Sequence, residues 1–268
     1  MSVISGQAKL FTQVVGTGDP VVFLHANVCD SRMWQKQIEE LARTHKTIAY
    51  DRRGFGETRA QEEEHSAVDD LIAVLDAEAD GKPVILVGCS QGGRIAIDAA
   101  LHHPARVRAL VLVSPSVTGA PDPVYPADIG ALMAELKNAE QAGDNANVNT
   151  MKARLFLDGP LGPEGRVTGA PRELFLEMHD IALRSPPTGQ DIGAPPNYRR
   201  VEDIEVPALV IWGDLDLPHV QERSRHVASG IRNCEALVMS GSGHLPSMDN
   251  SDAVAELFGS FVRRCPGG

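Results

Sequence analysis

One serine stands between two glycines, at the point where a predicted strand is followed by a predicted helix. The run Val84-Ile85-Leu86-Val87 is short, apolar and mostly β-branched, which is typical of a buried strand. Gly88-Cys89-Ser90-Gln91-Gly92 follows it, and apolar residues then recur at helical spacing at positions 95, 96, 99 and 100. In this strand–turn–helix context, G-x-S-x-G is typical of a nucleophilic serine on a sharp turn. The motif alone leaves open an ordinary strand-to-helix turn without chemistry.

The same motif makes a structural prediction. We expect a strained backbone at Ser90, with Gly88 and Gly92 leaving room because a Cβ at either position would clash with the neighbouring strand or helix. Ser90 would then project from the carboxyl end of the strand, at the start of a helix whose free N–H groups favour negative charge. The segment lacks both G-x-G-x-x-G and a P-loop lysine, so a phosphate or dinucleotide loop is not expected.

Apolar strands and amphipathic helices alternate along most of the chain, which predicts an α/β fold with a doubly wound, mostly parallel sheet. A segment rich in proline, glycine and helical sequence interrupts the alternation after Ser114. We therefore predict a core of residues 1–114 and 202–268 and a mainly helical cap, or lid, of residues 115–201. The other predicted strands cover residues 7–15, 20–24, 47–50, 107–113, 207–212 and 236–239, and the predicted helices cover 31–41, 66–75, 131–158, a segment ending at 183, 221–227 and 252–262.

Polar residues follow several of the predicted strands. Because the carboxyl ends of parallel strands meet at one edge of a sheet, where open α/β sheets bind ligands, we expect these residues to share one crevice. A serine, an acid and a late histidine in one crevice are the parts of a nucleophile that is activated by a base and oriented by a carboxylate. The residues concerned are His25, Ser90, Asp214, Asp216 and His244.

Five motifs in this order resemble the α/β-hydrolase family over nearly the whole chain. Within the family, the chain is similar to small soluble esterases and lactonases. The resemblance implies the α/β-hydrolase fold with a cap, a catalytic triad, an oxyanion hole and no cofactor. The motifs are His25-Ala26-Asn27, Asp51-Arg52-Arg53-Gly54-Phe55-Gly56, Gly88-Cys89-Ser90-Gln91-Gly92, Trp212-Gly213-Asp214-Leu215-Asp216 and Gly243-His244.

The resemblance assigns a role to each member of the expected triad. Ser90 is the implied nucleophile, and His244 is the implied general base that later acts as the acid. Two carboxylates, Asp214 and Asp216, stand where the acid belongs, and the family's G-x-x-D pattern selects Asp216.

The resemblance also implies where the oxyanion donors lie. They would be the backbone N–H groups of Gln91 and Asn27. The family usually has glycine where this chain has Ala26, and alanine narrows the backbone choices at that turn. The Asn27 amide either points into the pocket or has a structural role.

Six further residues have simpler expected roles. Arg52 and Arg53 are expected to brace a loop through ion pairs rather than to bind a substrate carboxylate. Cys89 is expected to pack away from the site, and His219 is expected at the surface. The adjacent histidines His102-His103 have no third ligand nearby in the sequence, so no metal site is predicted.

Composition limits the possible partners and location. The formal charge of −11 argues against nucleic acid or an anionic membrane as the main partner. The N-terminal residues lack a secretory pattern, and no apolar run approaches the ~18 residues of a membrane span. The four cysteines are widely separated, as expected of reduced thiols in the cytoplasm. We expect a cytoplasmic monomer or homodimer that acts on a small molecule without a cofactor or metal.

The sequence therefore predicts a serine hydrolase. Its reaction would be cleavage of a carboxylic ester, thioester or lactone of a small apolar substrate through an acyl-enzyme. The same triad would also serve a hydrolase of carbon–carbon bonds in β-diketones, or an acyltransferase or perhydrolase. A receptor-like ligand-binding protein with slow turnover is a further alternative. Halide- or epoxide-cleaving enzymes are disfavoured, because those relatives carry aspartate in place of Ser90.

Overall fold

The chain folds around one sheet, which is described here from a computed structural model that covers residues 1–265. Its strands are β1 (Ser2–Ser5), β2 (Ala8–Val15), β3 (Pro20–Leu24), β4 (Lys46–Tyr50), β5 (Arg59–Ala60), β6 (Val84–Cys89), β7 (Val107–Val113), β8 (Ala208–Gly213) and β9 (Cys234–Met239). They lie in the order β1-β2-β4-β3-β6-β7-β8-β9, with β5 paired to β2. The pairs of β1, β4 and β5 with β2 are antiparallel, and all others are parallel.

Helices cover both faces of this sheet. They are α1 (Gln35–Leu41), α2 (Ala67–Glu78), α3 (Gln91–His102), α4 (Ala127–Ala142), α5 (Asn145–Lys152), α6 (Ala170–Arg184), α7 (Pro218–Gly230), α8 (Pro246–Asp249) and α9 (Ser251–Arg264). Short 3₁₀ segments occupy Ser31–Trp34, Pro104–Arg106 and Tyr198–Asp203, and a π-helix occupies Ala153–Asp158. Among residues 1–265, no helix combines the length and apolar character needed to cross a bilayer.

Alternating side chains of the central strands supply two separate apolar cores. On β3, Val22 and Leu24 join the core formed with α2 and α3, whereas Val21 and Phe23 join the core formed with α1 and α9. This alternation follows from the two-residue period of a strand, and it explains why central strands with two covered faces read as continuous apolar runs. The predicted α/β-hydrolase fold with a doubly wound, mostly parallel sheet is confirmed.

The segment between β7 and β8, which we call the insert, contains α4, α5, the π-helix and α6. It has a small apolar core of its own, and it also contributes residues to the core beneath α1 and α9. The insert includes residues 115–201 of the predicted cap; the division into core and cap, and the role of the cap as a lid, stay predictions.

Several element boundaries differ from the predicted ones. The continuous helix predicted over residues 131–158 begins earlier, at Ala127, and is broken at Gly143, which adopts φ +68°. α7 begins at Pro218 rather than at position 221. β1 and β5 were not predicted; β5 has only two residues, too few to show a pattern.

Candidate active site

Ser90 lies at the sharp turn between β6 and α3. Its backbone has φ +53° and ψ −113°, a combination that side-chain-bearing residues rarely adopt. A Cβ on Gly88 would come within 2.4 Å of the Gly92 carbonyl oxygen, and a Cβ on Gly92 would come within 2.2 Å of the Leu24 carbonyl oxygen. The predicted clashes are confirmed: the glycines let α3 approach β6 and β3 closely enough to hold this turn.

The sheet also fixes the turn from the other side. The Ser90 N–H donates to the Val113 carbonyl oxygen at the end of β7 (2.9 Å), and the Ser90 carbonyl oxygen accepts from Ser116 N–H (3.1 Å). The side chain is half-buried. Within residues 1–265, the Ser90 hydroxyl has no hydrogen bond to His244; in unliganded enzymes such bonds are often long until substrate binds.

His244 is bonded to Asp216. Its Nδ1 lies 2.8 Å from Asp216 Oδ2, and both side chains are almost completely buried. The other oxygen of Asp216 accepts from the backbone N–H of Leu217 (2.7 Å), and Gln221 Nε2 donates to the Asp216 carbonyl oxygen (2.9 Å). A carboxylate held in this way fixes the tautomer and the orientation of the imidazole, leaving Nε2 to exchange a proton.

Asp214 lies close by but has a different environment. Its carboxylate accepts from Gly241 N–H (2.7 Å) and from the Ser240 hydroxyl (3.3 Å), both in the loop that follows β9. Asp214 therefore ties two loops together and does not contact His244.

The insert contributes to the histidine loop. The His244 N–H donates to the Phe156 carbonyl oxygen (3.0 Å), and the two rings lie 5.1 Å apart between centroids. A Cβ on Gly243 would come within 2.8 Å of the Leu157 carbonyl oxygen. The π-helix of the insert thus packs directly against the backbone that carries the imidazole.

The two residues predicted to supply the oxyanion donors, Gln91 and Asn27, come from different elements. Gln91 is the first residue of α3, and Asn27 is an exposed residue in the turn that follows β3. Both residues line one cavity of about 230 Å³, and Gln91 directly follows Ser90 in the chain. When the Gln91 amide is oriented to satisfy its hydrogen bonds, its side-chain oxygen accepts from Arg94 Nη2 (2.8 Å) and Nε (3.1 Å). The side chain is therefore turned toward α3.

His25 is a neutral structural histidine. Its Nε2 accepts from the Arg52 N–H (2.9 Å), so the proton lies on Nδ1, which donates to the Ala26 carbonyl oxygen (2.8 Å). Complete burial, and then the charge of Arg52, hold the pKa of His25 well below its usual range. His25 therefore orders the turn that carries Asn27.

The two adjacent arginines behave differently. Arg53 braces its loop as predicted, since it contacts Asp70 (2.8 Å), Glu63 (2.6 Å) and the Ser5 carbonyl oxygen (2.8 Å). Arg52 has no ion pair with any described residue, so its predicted bracing role is wrong in that form. It lies over the Phe55 ring at 4.8 Å instead.

Two other predictions have different outcomes. Cys89 is fully buried, as expected, with its thiol 3.9 Å from the His244 carbonyl oxygen. His219 is half-buried near the start of α7 and lies edge-on to Tyr125, so its predicted place at the surface is wrong. Among residues 1–265, no cluster of three or more metal-ligating side chains occurs.

The structure adds a polar network that the sequence analysis missed. Arg94 of α3 binds Asp98 one turn later (3.1 Å) and Asp191 in the insert (2.8 Å). Asn197 Nδ2 also donates to Asp98 (2.8 Å). The i, i+4 spacing of Arg94 and Asp98 was the available signal, but the partners in the insert lie about 100 residues away and left no local pattern.

Comparison with known proteins identifies the family. A model of the alpha/beta hydrolase family matches residues 21–257. The chain belongs to this family.

Individual members of the alpha/beta hydrolase family cover almost the whole chain. Pimeloyl-[acyl-carrier protein] methyl ester esterase of Nitrosospira multiformis is 25% identical over 96% of this chain and 100% of its own length. The 2-hydroxymuconate semialdehyde hydrolase of Pseudomonas sp. strain CF600 is 28% identical over 92% of this chain and 88% of its own length. Among solved structures, Est816, described as an N-acyl homoserine lactone degrading enzyme, superposes with a TM-score of 0.75 at 24% identity, over 97% of this chain and 100% of that one. That last likeness shows a shared fold.

Proposed function

We propose that this alpha/beta hydrolase is a serine hydrolase that cleaves a carboxylic ester, thioester or lactone through an acyl-enzyme. The observation that carries the proposal is the buried hydrogen bond between His244 and Asp216, on the sheet edge where the strained Ser90 turn also lies. Strain at a nucleophile and a carboxylate-oriented imidazole are two separate features that ordinary packing does not require.

In the proposed reaction, Ser90 Oγ attacks the acyl carbonyl while His244 Nε2 accepts its proton. Asp216 stabilises the imidazolium without taking that proton. The N–H groups of Gln91 and Asn27 would donate to the oxyanion, and the first turn of α3 adds its favourable dipole. His244 then returns the proton to the leaving group and activates the water that hydrolyses the acyl-enzyme.

Ester hydrolysis is supported by an esterase among the relatives of the chain. A second candidate is hydrolysis of a carbon–carbon bond next to a ketone, which the similarity to 2-hydroxymuconate semialdehyde hydrolase favours. Acyl transfer and slow, receptor-like turnover require the same Ser90 and differ in the acceptor or in the rate.

We also propose that the enzyme works in the cytoplasm on a small molecule. Its four cysteines are free thiols, and Cys29 and Cys89 are fully buried. Unpaired thiols fit a reducing compartment.

A panel of activated esters, lactones and β-diketones, assayed with Ser90→Ala, tests the proposal. We expect multiple turnover on at least one ester or lactone and a loss of several orders of magnitude in kcat for Ser90→Ala, with the fold intact by circular dichroism. Ser229→Ala, an exposed serine on α7, serves as the matched control. Near-normal activity of Ser90→Ala would remove the nucleophile assignment, and faster turnover of a diketone than of every ester would favour the second candidate.

A further inference from the structure

Arg52 is a buried guanidinium without a carboxylate partner. Its exposed fraction is 9%, and no ion pair connects it to any acid among residues 1–265. Among residues 1–265, the Arg52 side chain donates one hydrogen bond, a long one from Nη2 to the His25 carbonyl oxygen (3.4 Å). His25 Nδ1, at 3.5 Å, offers no acceptor because it already carries the proton given to Ala26. The Nε–H of Arg52 is buried with no acceptor at all.

This arrangement is costly for a structural residue. The Nε–H donor of this charged group is buried without an acceptor, which costs free energy that packing on one aromatic ring only partly offsets. Burial lowers the pKa of Arg52 to about 10, so that the side chain still carries its charge near neutral pH. No residue among 1–265 supplies the missing acceptor, which leaves this donor free for a bound ligand.

The carboxylates near Arg52 are all bonded to other donors. Asp70 and Glu63 are held by Arg53. Asp191 accepts from Arg94 and from the N–H groups of Ala67 and Gly193, and Asp98 accepts from Arg94 and Asn197. Although burial alone would raise the pKa of Asp191, these N–H groups and Arg94 lower it, so the carboxylate stays ionised. None of these acids lies within ion-pair distance of Arg52.

Arg52 lines the same cavity as the proposed oxyanion donors. This cavity of about 230 Å³ is also lined by Asn27, Gln91, Phe55, His65 and Asp191. The Arg52 guanidinium and the start of α3 both lie close to the His25 carbonyl oxygen. Arg52 Nη2 is 3.4 Å from this oxygen, and a Cβ added to Gly92 would be 2.9 Å from the same oxygen. An anionic group beside Arg52 would thus lie next to the turn that carries Ser90.

We propose that Arg52 binds a carboxylate of the substrate, so that the enzyme prefers esters or lactones that carry a free carboxylate a few atoms from the scissile carbonyl. This inference rests on the proposed function and narrows its substrate class. It departs from the small apolar substrate that the sequence predicted. A planar guanidinium matches a carboxylate with two parallel hydrogen bonds. One unpaired cation beside Asp191 suits a group of single charge better than a phosphate monoester, which carries about −1.5 to −2.

Matched substrates test the assignment. The monoethyl esters of malonic, succinic, glutaric and adipic acid are compared with the ethyl esters in which a carboxamide replaces the free carboxylate, since the amide is isosteric and neutral. For the best chain length we expect kcat/KM to favour the carboxylate by about tenfold or more, the size of one charge-assisted hydrogen bond, mainly through KM. Arg52→Gln should bring this ratio close to one, and Arg52→Lys should give an intermediate ratio.

Arg43→Gln is the control for the loss of one positive charge. Arg43 is exposed and forms an ion pair with Glu40, three residues earlier in the chain. Its removal should therefore leave the ratio of kcat/KM for the carboxylate and carboxamide substrates unchanged. A wild-type ratio at or below one for every chain length would overturn the assignment, as would an Arg52→Gln ratio equal to that of the wild type. In either case Ser90-dependent hydrolysis of the neutral esters would leave the proposed function standing.

Calorimetric titration of Ser90→Ala with the monoamides of the same diacids separates the two proposals completely. Arg52-dependent binding without any turnover in the wild type would support the carboxylate site and count against hydrolysis. If Arg52→Gln does not fold, as judged by circular dichroism, Arg52→Lys carries the comparison. Equal binding by the Arg52 variant and its parent would overturn the site.

Discussion

Two aspartates separated by one residue have different partners, and this difference predicts different functions. Asp216 is fully buried and bonded to His244, whereas Asp214 bonds the Ser240-Gly241 loop. Asp216→Asn should lower kcat by about 10⁴-fold, because an amide cannot stabilise the imidazolium and favours the wrong tautomer. Asp214→Asn should cost less than about tenfold in kcat.

Steady-state kinetics on one ester, with both variants checked for an unchanged melting temperature, make this comparison. The reverse ranking would transfer the carboxylate role to Asp214. A loss of the same size in both variants would instead mean that the loop after β9, and not a single carboxylate, controls the position of His244.

At this scale the sequence predicted residue types better than partners. Strand ends placed Ser90, Asp214, Asp216 and His244 at one edge, but the residues alone left the two aspartates equivalent until the family pattern was applied. Arg52 is a second case in which the sequence did not predict the partners of a residue. Its neighbour Arg53 pairs with Asp70 of α2 and with Glu63, whereas Arg52 pairs with no acid among residues 1–265 and lies over Phe55. The two arginines are adjacent in the sequence, so their different partners appear only in the fold.

Two helical glycines make a matched pair at the level of elements. Gly92 is in α3, where an added Cβ would meet the Leu24 carbonyl oxygen at 2.2 Å. Gly130 is in α4, where the nearest atom to such a Cβ is 4.0 Å away. Gly92→Ala should lower the free energy of unfolding by about 2 kcal/mol or more, since α3 must move away from β3. Gly130→Ala should raise it by about 0.5–1 kcal/mol, because alanine is the better helix former.

Urea denaturation followed by circular dichroism measures both changes. The two substitutions add the same methyl group to the same kind of element, so the difference between them isolates the close packing beneath the serine turn. A neutral Gly92→Ala would show that α3 can shift without cost, which would weaken the case that the glycines hold the strained turn.

Elements were predicted well where packing on the sheet dictates the pattern. β3, β4, β6 and β7 read as apolar runs because both of their faces are covered. The predicted helix over 131–158 was wrong in its continuity, since Gly143 ends α4 and Asp144 caps α5 by accepting from Asn147 N–H (3.1 Å). Both residues also occur inside helices, so only the fold shows that they separate two helices here.

Over the whole molecule, burial lowers the pKa values of three histidines and raises those of three aspartates, and these shifts predict how stability depends on pH. Burial lowers the pKa of His179 to about 4, helped by Lys152, and lowers that of His219 to about 4, helped by Arg223. His25 is shifted in the same direction. In the unfolded chain these groups return to about 6.5. Between pH 6.5 and pH 4 the unfolded state therefore binds more protons, and stability falls as the solution is acidified.

The free energy of unfolding should accordingly be lower at pH 5 than at pH 7, and His179→Gln should reduce that difference. Buried aspartates act in the opposite sense, since burial raises the pKa of Asp51, Asp98 and Asp249 above 3.8 and lets the folded state bind protons first. Comparing His179→Gln with the wild type cancels this shared contribution. Above pH 7.5 the free energy of unfolding of the two proteins should change with pH in the same way. An identical pH dependence down to pH 5 would mean that the pKa of His179 is the same in the folded and unfolded states, contrary to the expected shift.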